Sequence, residues 1–181
     1  MRIISGKYKG KRLVAPNKLP VRPTTDFAKE ALFNILNNKI NFSEVSLLDL
    51  FSGTGNISFE FGSRGTKNIV SVDQHYGCVK YINKIADELS FPIQTVKADV
   101  LKYLSSSALK FDVIFADPPY DLSQENFNAI ITKTFEKNIL NENGMLIIEH
   151  SKHSDLSKIP HFKDARRYGG SVFSFFEIDN T

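Results

Sequence analysis

The stretch VSLLDLFSGTGNISFEFGSR, residues 45–64, decides the fold. An apolar run carrying a single acid, Asp49, breaks into a turn with glycines at 53 and 55, and apolar residues then resume. A short apolar run bounded by glycines reads as a buried strand, and NISFEFGSR as the helix that leaves it. The alternation repeats downstream. NIVSVD is a second strand, followed by the helix YGCVKYINKIADEL with Val79, Ile82, Ala86 and Leu89 on one face. PIQTVKAD is a third strand and VLKYLSS a short helix. FDVIFAD is a fourth strand, QENFNAIITKTFEK a helix and GMLIIEH a fifth strand. HFKDARRYGGSVFSFFEI reads as a β-hairpin turning at Gly169-Gly170. Strands alternating with helices predict an α/β chain whose mostly parallel sheet is covered on both faces.

Upstream of the stretch the character changes. Residues 1–22 hold seven basic residues and no acid, while the rest of the chain is net negative by four, giving +3 in all. A positive arm on a mildly negative body suggests a polyanionic partner. In MRIISGKYKGKRLV, Gly6 and Gly10 are turn points, and Ile3, Ile4, Leu13 and Val14 are apolar anchors. This predicts a docked hairpin presenting Arg2, Lys7, Lys9, Lys11 and Arg12 to phosphates and Tyr8 to a base. RPTTDFAKEALFNILNN follows, a capped amphipathic helix. Thr25 or Asp26 is the cap, and Phe27, Ala31, Leu32, Ile35 and Leu36 recur at helical spacing.

At 181 residues, with 41% hydrophobic and 24% charged content, the chain reads as one domain, residues 1–181, of a cytoplasmic protein. No apolar run approaches a membrane span, and no signal peptide is apparent. Cys78 is the single cysteine, so no internal disulfide forms, and the four histidines lack metal-ligand spacing. No metal site is expected.

Ligands of such sheets bind at the carboxyl ends of the strands. Acids mark those ends: Asp49 before the glycine loop, Asp73 on the second strand, Asp99 on the third and Asp117 on the fourth. The constellation suits a dinucleotide or S-adenosylmethionine. The dinucleotide fingerprint wants a third glycine, and Ser58 stands there. A carboxylate at Asp49 would repel a pyrophosphate and attract the cationic end of a methionine moiety. Asp73 is placed to take both hydroxyls of a ribose. Asp99, just before Val100, is placed to read an adenine amine, or simply to cap the helix that follows.

The fourth strand ends in FADPPYD. With a methyl donor across the strand ends, this loop becomes chemistry rather than punctuation. An aryl amine is a poor nucleophile because its lone pair is delocalised. Two acceptors on its hydrogens, the Asp117 carboxylate and the Pro118 carbonyl, would aim that lone pair at the methyl. Pro118 and Pro119 fix the backbone and offer no competing N–H. Tyr120 can stack on the flipped base.

DPPY resembles the motif of amino-group N-methyltransferases of DNA, RNA and protein glutamine. The ordered set MRIISGKYKGKRL, RPTTDFAKEALFNIL, LLDLFSGTGNISFEFGSRG and DPPY is more specific. It resembles the bacterial 16S ribosomal RNA guanine-N2 methyltransferases, from Met1 to about Ile178. The resemblance implies a Rossmann-like class I fold: seven strands with the last antiparallel, plus an N-terminal hairpin. It implies S-adenosylmethionine as cofactor, with Asp49, Phe51, Gly53, Gly55, Asp73, Asp99 and Val100 lining it. The Arg22–Asp26 stretch, including Thr24 and Thr25, would close over it. It also implies that Asp117, Pro118, Pro119 and Tyr120 are the catalytic loop and that the partner is 16S ribosomal RNA in a small subunit or assembly intermediate. The chain departs from the family's pattern at Phe27 and Lys29, where arginine is commoner, and in an arm richer in lysine. Fewer arginines mean fewer bidentate phosphate contacts. Two other readings are an amino methyltransferase acting on DNA adenine or protein glutamine, and a non-catalytic RNA-binding protein of the same fold.

Overall fold

A computed structural model describes residues 1–19 and 25–178. Seven strands form one sheet: β1 (Ser46–Leu50), β2 (Asn68–Asp73), β3 (Ile93–Lys97), β4 (Phe111–Ala116), β5 (Leu140–Ser151), β6 (Phe162–Tyr168) and β7 (Ser171–Glu177). Their order across the sheet is β3-β2-β1-β4-β5-β7-β6. β1 to β5 pair in parallel, and β7 runs antiparallel to both neighbours, β5 and β6. The predicted hairpin at Gly169-Gly170 is the β6–β7 turn. β5 is longer than GMLIIEH, because it starts at Leu140.

The helices are α1 (Asp26–Asn37), α2 (Asn56–Ser63), α3 (Tyr76–Leu89), α4 (Val100–Ser106) and α5 (Gln124–Glu136). Side chains alternate faces along a strand, so β1 can bury Leu47 on one side and Leu48 and Leu50 on the other. Leu47 joins Val113, Phe115, Ile147 and Phe173 beneath α1 and α2. Leu48 and Leu50 join Ile114, Ile148 and Phe127 on the side of α4 and α5. α3 packs with Phe59 and Phe91, and the arm's Ile3 and Leu13 complete that cluster. Burying each of those two arm side chains contributes about 1.5–3 kcal/mol.

Strand order reverses where β1 leaves for β2 on one side and β4 lies on the other. This is the switch point at which open α/β sheets bind ligands. Asp49 and Leu50 are in register with Phe115 and Ala116 there. The glycine loop and FADPPYD therefore emerge side by side.

Two expectations about packing are corrected. α1 is capped by Thr25, whose side chain accepts from the Ala28 amide, but its buried face is Ala28, Lys29, Leu32, Phe33 and Leu36. Phe27 is 65% exposed, and Lys29 is 1% exposed. Val14 is exposed rather than an anchor. The arm is the expected hairpin: Arg2 and Arg12 form an antiparallel bridge, and the Ile3 and Leu13 amides donate to the Lys11 and Met1 carbonyls at 2.9 and 3.0 Å. Gly6 and Gly10 both adopt positive φ, as turn points should. Among the described residues no helix is long and apolar enough to cross a membrane.

Candidate active site

The loop between β1 and α2 turns by left-handed backbone at Phe51, Gly53 and Gly55, with φ of 55°, 52° and 75°. Gly55 is the N-cap of α2 and has no side chain with which to cap it. A Cβ there would lie 2.9 Å from the Ile82 side chain, so α3 closes the position to anything larger. Asp49 supplies the missing cap from the adjoining strand. Its Oδ2 accepts from the Ser58 hydroxyl and from the Ser58 amide, the latter at 3.2 Å. The Ser58 hydroxyl also meets that of Ser71 at 2.7 Å. The serine that breaks the dinucleotide fingerprint is thus the residue that holds Asp49. Burial pushes the Asp49 carboxyl up to about 7, against the opposing pull of the Ser58 hydrogen bonds.

Asp73, at the end of β2, accepts from the Gly53 amide through Oδ2 and from the His75 amide through Oδ1, each at 2.8 Å. Each carboxylate oxygen has a second lone pair, so these bonds orient the group without saturating it. Asp99 caps α4: its Oδ1 accepts from the Lys102 amide at 3.0 Å. The helix-capping reading of Asp99 is therefore satisfied, and the carboxylate keeps further lone pairs. Val100 is buried at the start of that helix.

Asp117 leaves β4 beside β1, its amide 3.5 Å from the Leu50 carbonyl. Pro118 is buried and Pro119 exposed. The Pro119 carbonyl accepts from the Leu122 amide at 2.9 Å, which closes the turn. Tyr120 is 44% exposed, with its hydroxyl 3.5 Å from that of Ser171 at the start of β7. The structure brings Asp49, Phe51, Gly53, Gly55, Asp73, Asp99 and Asp117 to one end of the sheet. Asp26 lies in the first turn of α1, 3.6 Å from the Arg2 guanidinium. Arg22 and Thr24 lie outside the described residues. Among the described residues no cluster of side chains could hold a metal ion.

The arm docks at the far end of α2, through residues that sequence reading missed. Glu60 is fully buried and accepts from the amides of Ile4 and Ser5 at 2.9 and 3.0 Å. It also meets Lys29 at 3.3 Å and Arg64 at 3.0 Å. The Lys29 ammonium donates to the Arg2 carbonyl and to Asn56 Oδ1, at 2.6 and 2.8 Å. Ser63 takes the next contacts. Its carbonyl accepts from the Lys7 amide, its hydroxyl accepts from the Tyr8 amide, and that hydroxyl donates to the Ser5 carbonyl. A Cβ on Gly6 would sit 1.9 Å from the Ser63 carbonyl, so only glycine fits this approach.

Two members of the proposed RNA-binding set are engaged in docking. The Tyr8 hydroxyl donates to the Leu89 carbonyl at 2.7 Å, and its ring meets Phe91 edge-on. Tyr8 is therefore an anchor of the arm and not an outward stacking face. Arg2 pairs with Asp26 and Glu30. Lys7, Lys9, Lys11 and Arg12 are exposed.

A parallel sheet with this strand order, an antiparallel β7, and acids at the ends of its central strands is the Rossmann-like methyltransferase fold. Solved structures agree. A putative methyltransferase, yhhF, from Escherichia coli superposes with a TM-score of 0.85 at 22% identity, covering 99% of each chain. SMU.776, a putative methyltransferase complexed with SAH, has a TM-score of 0.66 at 20% identity over 82% of this chain and 49% of that one. Residues 1–177 match the family described as Conserved hypothetical protein 95, and the chain belongs to that family. Ribosomal RNA small subunit methyltransferase D of Haemophilus influenzae is 33% identical over 168 residues, which cover 86% of this chain and 81% of that protein.

Proposed function

We propose that the chain transfers a methyl group from S-adenosylmethionine to the exocyclic N2 amine of a guanine in small-subunit ribosomal RNA. The observation that carries the reading is the emergence of Asp117–Tyr120 at the switch point, one strand away from Asp49 and the glycine loop. The protein's own residues fit the cofactor. Positive-φ backbone at Phe51, Gly53 and Gly55 makes a close-approach cradle, and Asp73 is held with lone pairs to spare for two ribose hydroxyls. The bound cofactor supplies an electrophilic sulfonium methyl.

The chain's part is acceptance and orientation. The Asp117 carboxylate and Pro118 carbonyl accept the two amine hydrogens, which favours a pyramidal nitrogen with its lone pair directed at the methyl. Tyr120 stacks on the extruded base. Catalysis is then mainly positioning, and Asp117 or water takes the proton from the methylated nitrogen. The exposed cations of the arm contact phosphates. The relative named as a small-subunit ribosomal RNA methyltransferase supports the substrate class. Small subunits from cells lacking this protein, incubated with the chain and labelled cofactor, should yield N2-methylguanosine on nucleoside mass spectrometry. Methyl on N1, N7 or a 2′-oxygen would sink the guanine-amine assignment.

A further inference from the structure

Phe27 sits where helical spacing predicted a core position, yet it is 65% exposed, while Lys29 takes the buried place. Its ring meets the Tyr168 ring edge-on at 6.3 Å between centroids. Tyr168 ends β6 and pairs directly with Ser171 of β7. Directly opposed residues of an antiparallel pair project to the same face. The Ser171 hydroxyl in turn lies 3.5 Å from that of Tyr120 in the catalytic loop. Phe27, Tyr168, Ser171 and Tyr120 therefore make one continuous strip, from the first turn of α1 across the β6–β7 hairpin to the reaction loop. Exposed Lys152, Arg166 and Arg167 flank the hairpin turn, with Lys152 bonded through its amide to the Gly170 carbonyl.

We infer that this strip holds single-stranded nucleotides next to the target guanine, by stacking bases on Phe27 and Tyr168. This rests on the RNA-methylating reading above and adds a binding surface that starts beside the arm's Arg2–Asp26 pair and runs to the reaction loop. An extruded base leaves its neighbours unstacked, and rings in line with the catalytic loop restore that stacking. Arg166 is paired with Asp164 at 2.8 Å and Arg167 donates to the Gly169 carbonyl, so Lys152 is the hairpin cation that best suits a phosphate between those bases. Side-by-side aromatic and basic groups at the open end of the sheet favour a nucleic acid over a protein partner.

Binding of protein-free small-subunit RNA by the full chain, read by fluorescence anisotropy, tests this in Phe27→Ala, Phe27→Leu and Phe27→Trp. Ala and Leu should each weaken binding roughly 5- to 150-fold, the range for one stacked base, and Trp should retain wild-type affinity. Cofactor affinity by calorimetry should be the same in all three. Because Phe27 is exposed, folding is not at stake there; Tyr168 is half-buried against Phe173, so Tyr168→Leu is a second position whose RNA affinity is read beside its melting temperature. Leu binding as wild type would overturn the inference, since an aliphatic side chain keeps apolar contact but has no stacking face. Weakened cofactor binding in Phe27→Ala would also overturn it, by assigning the ring to the cofactor. Unchanged RNA affinity with slower methylation of intact subunits would replace the RNA with a protein partner. Stacking losses in a wild-type background that yields no N2-methylguanosine would sink the reaction assignment and leave the strip intact.

Discussion

Helix α2 ends in a buried carboxylate arrangement on either side, and the two are built differently. At its start, Asp49 is held by a serine hydroxyl and an amide. In its last turns, Glu60 is held by two cations and two amides. Burial is nearly complete in both. Burial outweighs the neutral Ser58 donors and pushes the Asp49 carboxyl up to about 7, so it can take up a proton near neutrality. Opposite charges make Glu60 a fixture, joining the arm, α1 and α2. The glycine-loop end of α2 thus keeps a carboxyl that can change its charge, and the docking end one fixed by ion pairs.

The largest effect should come from breaking the fixture. Glu60→Ala leaves Lys29 and Arg64 buried without their carboxylate, and losing one partner of a buried pair costs about 3–5 kcal/mol. Denaturant unfolding should record that loss, and limited proteolysis should release the arm. Wild-type stability would mean the two ends are not different in kind.

Next is Asp117→Ala at the reaction end. It should leave stability and cofactor affinity in place and lower kcat by about 10²–10³, the scale for losing one preorganised hydrogen-bonding group at a reacting centre. Asn should do less harm, since its amide oxygen still accepts. Steady-state methylation of small subunits measures both, and full activity in the Ala variant would reduce the loop to a turn.

Neutralising Lys7, Lys9, Lys11 and Arg12 together tests whether the docked arm works through its exposed charges. Four lost phosphate contacts should flatten log K against log salt by roughly 2.8 to 3.6. An unchanged slope would leave those lysines merely solvated.

The smallest expected effect is the pH response of Asp49. Its carboxyl titrates near 7 when folded and near 3.8 when unfolded. Between those values the folded state binds the extra proton, so this group's contribution to stability declines as pH rises and levels off above about 7. A cationic ligand needs the ionised form, so cofactor affinity should fall at most about tenfold per pH unit below 7. Asp49→Asn should remove that slope and raise the melting temperature of the unliganded chain at pH 8. Calorimetry and melting curves from pH 6 to 8 check both, and a parallel pH profile in wild type and variant would move the titration elsewhere.

Sequence reading located most elements because the signals were local. NIVSVD and YGCVKYINKIADEL coincide with β2 and α3, separated by Gln74 and His75. The strand-end acids were legible because position in a parallel sheet fixes where strand ends point. What failed depended on partners distant in sequence. Helical spacing allowed two apolar stripes on α1, offset by one residue, and the arm's docking on Lys29 chose between them. A lysine gives no sign of burial until its carboxylate is known, and Glu60 lies 31 positions away. Tyr8 among lysines looked like a stacking ring because Leu89 and Phe91 are not its neighbours in sequence. Ser58 was noticed as a missing glycine, whereas its positive function, holding Asp49, needed the fold.

The arm's contacts also set an order of events during synthesis. Ile4, Ser5 and Tyr8 bond to groups 55 to 81 residues further along the chain. A ribosome releases this basic segment tens of residues before its seats. The basic segment therefore stays unseated for several seconds at about 5–20 residues per second, and seats only once Glu60, Ser63 and Leu89 have emerged. Until then, a segment suited to polyanions is being extruded beside the most abundant RNA in the cell, and it is the later-made body that draws it into place.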